Sequence, residues 1–188
     1  VDINVSENGI PYELNPENDY GPPGTFFVID GPAQVYVDLS FDAHNEVRTF
    51  TLQYHMLNVI KVHDDVAELY HQFIGDEWDT GVEDVTVRLL LPDDAQIDEL
   101  KAWGHGPLHG SVNIEDHRNI SYEVSPLPPN TYLEGRVTFP PQLVPEASNY
   151  TGQIALPHIL AEEEEWAARS NRERNLSRIS WFLALTLV

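Results

Sequence analysis

The sequence predicts a mainly β protein: an antiparallel β-sandwich followed by a C-terminal α-helix that leads into a truncated transmembrane segment. Three observations carry this expectation. Short runs alternating every second residue recur between clusters of Gly, Pro and Asn up to Pro157. From His158 to Arg178 the chain holds neither Gly nor Pro and is rich in helix formers. It then runs into ISWFLALTLV, Ile179–Val188, an apolar stretch shorter than the ~20 residues a bilayer requires. The expected organisation is an extracellular sandwich over 1–157, a juxtamembrane helix over 158–178 and the start of a transmembrane helix over 179–188.

Taken in order, residues 1–34 hold only brief extended segments, and Gly21-Pro22-Pro23-Gly24 turns the chain into a strand over Thr25–Asp30. Val35–Ser40 alternates, as does the first half of Arg48–Leu57, and His44-Asn45-Glu46 between them suggests a hairpin. His63–Asp79 reads as an aromatic, acidic loop between β runs. Val82–Leu91 is a strand ended by Pro92-Asp93-Asp94, and Leu100–Trp103, Ser111–Ile114, Ile120–Val124 and Tyr132–Phe139 complete the set. In the helix acidic residues precede arginines, the order its dipole favours, and Glu162–Glu165 is expected to cap the first turn.

Composition excludes several classes of function. With 188 residues and 41% hydrophobic content the chain can build a core. Its formal charge is −21, from 31 acidic and 10 basic residues, and four of the ten lie within 169–178. Such a body repels nucleic acid and anionic lipid and suits cations or basic partners. The absence of cysteine removes disulfides, thiolate metal sites and cysteine nucleophiles. Met56 is the only methionine, so a removed signal peptide is expected to have preceded Val1. The sequons at Asn4, Asn119, Asn149 and Asn175 matter only in a eukaryotic secretory setting. The arginines before the apolar run would, taken alone, favour a cytoplasmic position. A cleaved signal peptide overrides that bias for a large domain, so the expected placement is at the cell membrane, facing outward.

Six pieces carry a resemblance: RTFTLQY (48–54), DVAELYHQFIGDEW (65–78), VTVRLLLP (85–92), WGHGPLHG (103–110), LEGRVTFP (133–140) and ILAEEEEW (159–166). Their order and spacing over roughly residues 3 to 170 resemble the extracellular N-terminal portion of a family of predicted bacterial membrane proteins, domain of unknown function 2207. The resemblance implies an exported β-sandwich, then transmembrane helices and a cytoplasmic tail. It implies no assigned catalytic residue.

Two clusters are candidates for chemistry. In the acidic loop Asp64, Asp65 and Glu68 offer carboxylates to Ca²⁺, and Trp78 with Tyr70 offers a stacking platform for carbohydrate. No EF-hand spacing is present, and the bland alternative has the aromatics plugging the sandwich edge while the carboxylates face water. His105, His109 and His117 are candidate ligands for Zn²⁺ or Ni²⁺, though their spacing fits no compact zinc motif and His105 suits a turn. Neither a nucleophile elbow nor a phosphate loop occurs. The expected work is non-enzymatic binding, sensing or scaffolding, with a cell-surface protein, polymer or cation as partner. The alternative is a metal-assisted or carboxylate-dependent hydrolase of cell-wall polymer, since Asp64, Asp65, Glu68, Asp76, Glu77 and Asp79 supply carboxylate pairs.

Overall fold

The computed structural model describes residues 2–31 and 34–185. The chain divides into two compact units, one up to Leu57 and one from Asn58 onward. In the first, β1 (Ile3–Glu7), β2 (Ile10–Pro11) and β6 (Phe50–Tyr54) form one three-stranded sheet. A second contains β3 (Glu13–Leu14), β4 (Thr25–Asp30) and β5 (Val35–Ser40), with β3 parallel to β4. Asn8 and Gly9 both take positive φ, 49° and 82°, the backbone that a tight two-residue hairpin between β1 and β2 requires.

The hairpin expected between 35–40 and 48–57 does not form: β5 pairs with β4, and β6 pairs antiparallel with β1. The reason lies in the linker. Arg48 Nη1 donates to Glu7 on β1 at 2.6 Å, and its Nη2 reaches Glu46 at 2.9 Å and the Asp42 carbonyl. The linker is thereby held toward β1, and the chain crosses to the other sheet instead of folding back.

The second unit is built on β7 (Ile60–Val62), β8 (Ala67–Ile74), β9 (Val85–Leu90), β10 (Lys101–His105), β11 (Ser111–Ile114), β12 (Asn119–Val124) and β13 (Leu133–Phe139). A four-stranded sheet has the order β10-β13-β8-β7 and a three-stranded one β11-β12-β9, every pairing antiparallel. Alternation decides the core. Ala67 and Leu69 of β8 and Val137 and Phe139 of β13 face Ile120 and Tyr122 of β12, and Leu91, Ala95 and Leu100 from the β9–β10 connection join them. Ala67–Ile74 is thus a strand, not the loop its charges suggested. Its polar members Glu68, Tyr70 and Gln72 stand on the opposite face from Ala67, Leu69 and Phe73.

One helix, α1 (Leu156–Leu185), follows. Its backbone is continuous across the expected boundary at residue 178, and the end of the apolar run, 186–188, lies outside the described residues. Among the described residues no helix is long and apolar enough to cross a membrane. The helix starts two residues before the expected His158, for a reason remote in sequence. Asp65 accepts from the N–H groups of Ala155 and Leu156 at 2.8 and 3.1 Å, satisfying donors a helix start leaves orphaned. Pro157 sits in the first turn, where its missing N–H costs nothing. Glu162–Glu165, expected to cap the helix, lie more than a turn inside it.

The tightest point of this core is Gly135 on β13. A Cβ there would lie 2.5 Å from a ring carbon of Phe73 and 2.7 Å from Cζ of Tyr122. Gly135→Ala is expected to destabilise the second unit by ~1–3 kcal/mol, read as a lowered urea midpoint at unchanged slope. Adding Phe73→Leu, which withdraws one ring, should recover part of the loss.

Candidate functional site

The outer face of the four-stranded sheet carries unusual chemistry for a covered surface. Alternation puts Trp103 and His105 of β10, Glu134, Arg136 and Thr138 of β13, and Glu68 and Tyr70 of β8 on the side away from the sandwich core. From α1, Ile159, Glu163 and Trp166 follow at the four- and three-residue steps that make one helical stripe. Ile159 and Glu163 are buried, so this stripe faces the protein.

Arg136 is the hub. Its Nε donates to Glu68 at 2.6 Å, and its Nη1 donates to Glu163 at 3.0 Å and to Glu162 at 2.9 Å. Its guanidinium lies over the Tyr70 ring, 5.0 Å from the centroid. Each buried carboxylate also meets a histidine: Glu163 with His105 Nε2 at 2.9 Å, and Glu68 with His63 Nε2 at 3.3 Å. His63 Nδ1 in turn lies 2.7 Å from the Thr151 hydroxyl. Exposure is 8% for Arg136, 4% for Glu68, 4% for Glu163 and 7% for His105, so water screens none of them effectively.

The electrostatics follow. Burial works against the charged form of Arg136, but bonds to Glu163, Glu162 and Glu68 outweigh it and hold the guanidinium more firmly protonated than usual. Burial likewise pushes Glu163 up, and hydrogen bonds from His105 and Arg136 overcome it, holding its carboxyl below the ordinary range. Burial, together with a 3.0 Å bond to Glu134, raises the Tyr70 phenol to about 12. Among the described residues two buried side-chain atoms have no hydrogen bond, Thr138 Oγ1 and His105 Nδ1. Glu134 Oε2 stands 3.9 Å from the latter.

The residues singled out from sequence are dispersed by this arrangement. Glu68 is locked under α1 by Arg136, and Asp65 is the helix cap. Only Asp64 and Asp65 stay together, at one hollow that Asp98, Glu99 and Lys101 also line, and Trp78 is exposed elsewhere on the surface. The histidines do not converge. His105 is buried against Glu163, His109 Nε2 meets the Pro126 carbonyl at 2.9 Å, and His117 Nδ1 meets the Ala95 carbonyl at 2.8 Å. The turn role expected of His105 thus belongs to His109. Among the described residues no three His, Asp or Glu side chains come together to hold a metal ion. Arg136 and Glu163 went unrecognised in the sequence as candidates. Their only signals are an arginine alternating with Gly135 and Val137, and a glutamate in register with Ile159 and Trp166.

Beside this network lies a cleft of about 480 Å³. Trp103, His105 and Tyr132 wall it on the sheet side, and Trp166, Arg169 and Asn171 wall it from α1. The Trp166 ring is already engaged, 4.9 Å from the His105 ring, with the Arg169 guanidinium 5.7 Å from its centroid. The cleft therefore offers the edge of β10, the Trp103 indole and polar helix groups, not a free stacking pair.

Removing the hub should uncover two buried negative charges. Arg136→Met is expected to cost about 3–5 kcal/mol in urea unfolding, and the triple variant R136M/E68Q/E163Q should regain most of it. Acid supplies the complementary readout. Because the native Glu163 lies below its ordinary value of 4.5, its contribution is complete above that pH and is lost as pH falls through the depressed value. E163Q should therefore flatten the acid limb of the stability profile.

A family model described as predicted membrane protein (DUF2207) N-terminal domain matches residues 1–139. The match runs from the first unit through the last strand of the four-stranded sheet and stops short of α1. No curated protein and no solved structure matches the chain. With the matched span covering every strand from β1 to β13, the chain belongs to the family of N-terminal domains of predicted membrane proteins known as domain of unknown function 2207.

Proposed function

We propose that this chain is the outward-facing domain of a membrane protein, a non-enzymatic binding, sensing or scaffolding module at the cell surface. In this reading α1 is the rod that joins the module to the membrane. Family membership supports the association with a membrane. The observation that carries the rest is the docking of α1: one helix is capped by Asp65, bonded through Glu163 and Glu162 to Arg136, and continues without a break toward the apolar sequence after Arg178. A helix fixed at its start to a sheet by buried ion pairs transmits rotation or displacement of that sheet along its length. A loosely tethered domain would not. Glu68, one of the carboxylates on which the hydrolase alternative draws, is bonded to the Arg136 guanidinium.

Orientation is open to a direct measurement. The chain contains no cysteine, so Trp78→Cys, at an exposed position of the second unit, introduces a single thiol. In the full-length protein, freed of any other cysteine, a membrane-impermeant maleimide should label this thiol in intact cells. Labelling that occurs only after lysis would place the domain inside and overturn the proposal.

A further inference from the structure

The first unit has little core for its length. Among its described apolar side chains only Val5, Phe26 and Phe27 are buried, while Leu52 and Phe41 are each 46% exposed. A unit of ~60 residues is marginal even when its apolar faces are covered. The strand order accounts for the deficit. β2 and β3 are separated only by Tyr12, whose N–H donates to the Val5 carbonyl at 2.9 Å, so one stretch of chain joins both sheets. The order therefore runs β6, β1, β2 with β3, β4, β5. Its two outer members flank one groove of about 450 Å³, to which β6 contributes Phe50 and Leu52 and β5 contributes Val37 and Leu39.

Both outer strands carry a bare edge. Among the described residues, Val35–Ser40 make backbone hydrogen bonds only toward β4 and Gly24 before it, and Phe50–Tyr54 only toward β1. The connection between them is exposed over 41–47 and makes no backbone hydrogen bond to either edge. Cross-strand pairing fixes what an inserted strand would meet. Leu52 stands opposite the buried Val5 and Leu39 opposite the buried Phe26, so Phe50, Leu52, Val37 and Leu39 share the core side. Asp38 lies on the other side of β5 and also lines the groove. Its carboxylate accepts from Tyr36 at 2.6 Å and from Tyr20 at 3.2 Å. No cation of its own unit reaches it: residues 1–57 hold nine carboxylates, no lysine and one arginine, Arg48, which Glu7 and Glu46 engage.

We infer that the slot between β5 and β6 is an insertion site for an extended peptide segment of another protein, apolar where it faces the core and cationic where it faces outward. Two bare ladders on one groove select an extended backbone, since a compact ligand leaves their N–H and C=O groups unmatched. Alternation selects the side chains: apolar residues opposite Val37 and Leu39, and a lysine or arginine opposite Asp38. Local charge decides against a second copy, which would set nine carboxylates and one arginine against their like. Such a strand would complete the undersized core and close the curl of strands. The inference rests on the binding reading of this domain but not on which side of the membrane it faces.

The test uses the 188-residue chain and three seven-residue probes. These are an acetylated alternating Lys-Val peptide, its Glu-Val counterpart, and the Lys-Val peptide N-methylated at alternate residues. Calorimetry should show saturable binding of the first, with amide shifts at Val35–Ser40 and Phe50–Tyr54 together. Affinity should fall about tenfold or more for the other two, because one reverses the charge and the other removes the donors to one ladder. Asp38→Asn, which keeps an acceptor for both tyrosines, should weaken the Lys-Val peptide and leave the Glu-Val peptide no weaker. Equal affinity for the methylated probe would reduce the effect to charge attraction and overturn the slot. So would shifts confined to one of the two strands, the absence of binding, or exchange-protected edge amides of β5 and β6 in the free chain. Outward labelling at Trp78→Cys together with failure of the Lys-Val peptide would remove the slot and leave the tethered domain intact.

Discussion

The second unit depends on one guanidinium. Arg136 is the point at which strand β8, strand β13 and helix α1 are tied together, through Glu68 on one side and Glu163 and Glu162 on the other. Taking three ionised groups out of water is expensive, and an apolar layer of equal volume would commonly be as stable or more so. What ion pairs add over an apolar layer is direction. A greasy stripe lets a helix slide by a turn with little penalty, whereas a planar fork bonded to two carboxylates fixes both rotation and height. Asp65 fixes the helix start independently, from the loop that precedes β8. Two constraints of different kinds thus define where α1 begins and which side of it faces the sheet.

Much of the strand content was legible because the relevant interactions are local. Val35–Ser40, Ser111–Ile114 and the strand ending at Phe139 alternate between apolar and polar residues, and turn residues bound them and Thr25–Asp30. The misreadings have one cause, partners remote in sequence. Ala67–Ile74 looked like a charged loop because Glu68 and Tyr70 interrupt its apolar residues, and an outward glutamate normally means water. Here the outward face is covered by a helix almost ninety residues downstream, so the glutamate is structural. Glu162–Glu165 failed as a cap for the mirrored reason: one of its members was needed deep in that contact, and the cap came from Asp65. The false hairpin between residues 35 and 57 has the same origin, since the bond from Arg48 to Glu7 spans 41 positions.

The candidate site was legible only as an inventory. Asp65, Glu68 and His105 were picked out as ligands, and each proved to be engaged by the fold itself. In a chain with 31 acidic residues, a carboxylate near an aromatic is common and carries little information. Information lies in the rare members instead. Ten basic residues serve the whole chain, and burying one among three glutamates is a costly use of a scarce charge. That scarcity marks Arg136 more clearly than any motif does.

The same reasoning connects the hub to the cleft beside β10. Trp166 and Glu163, which anchor α1 through His105 and Arg136, also form part of the wall of the cleft that β10 opens into. β10 pairs with β13, the strand that carries Arg136. His105 of β10 pairs with Glu134 in the β10–β13 ladder and bonds Glu163 on the helix. β10 is therefore one hydrogen bond away from α1. Burial of the His105–Glu163–Arg136 contacts lets a small displacement of the sheet be transmitted to the helix instead of absorbed by solvent.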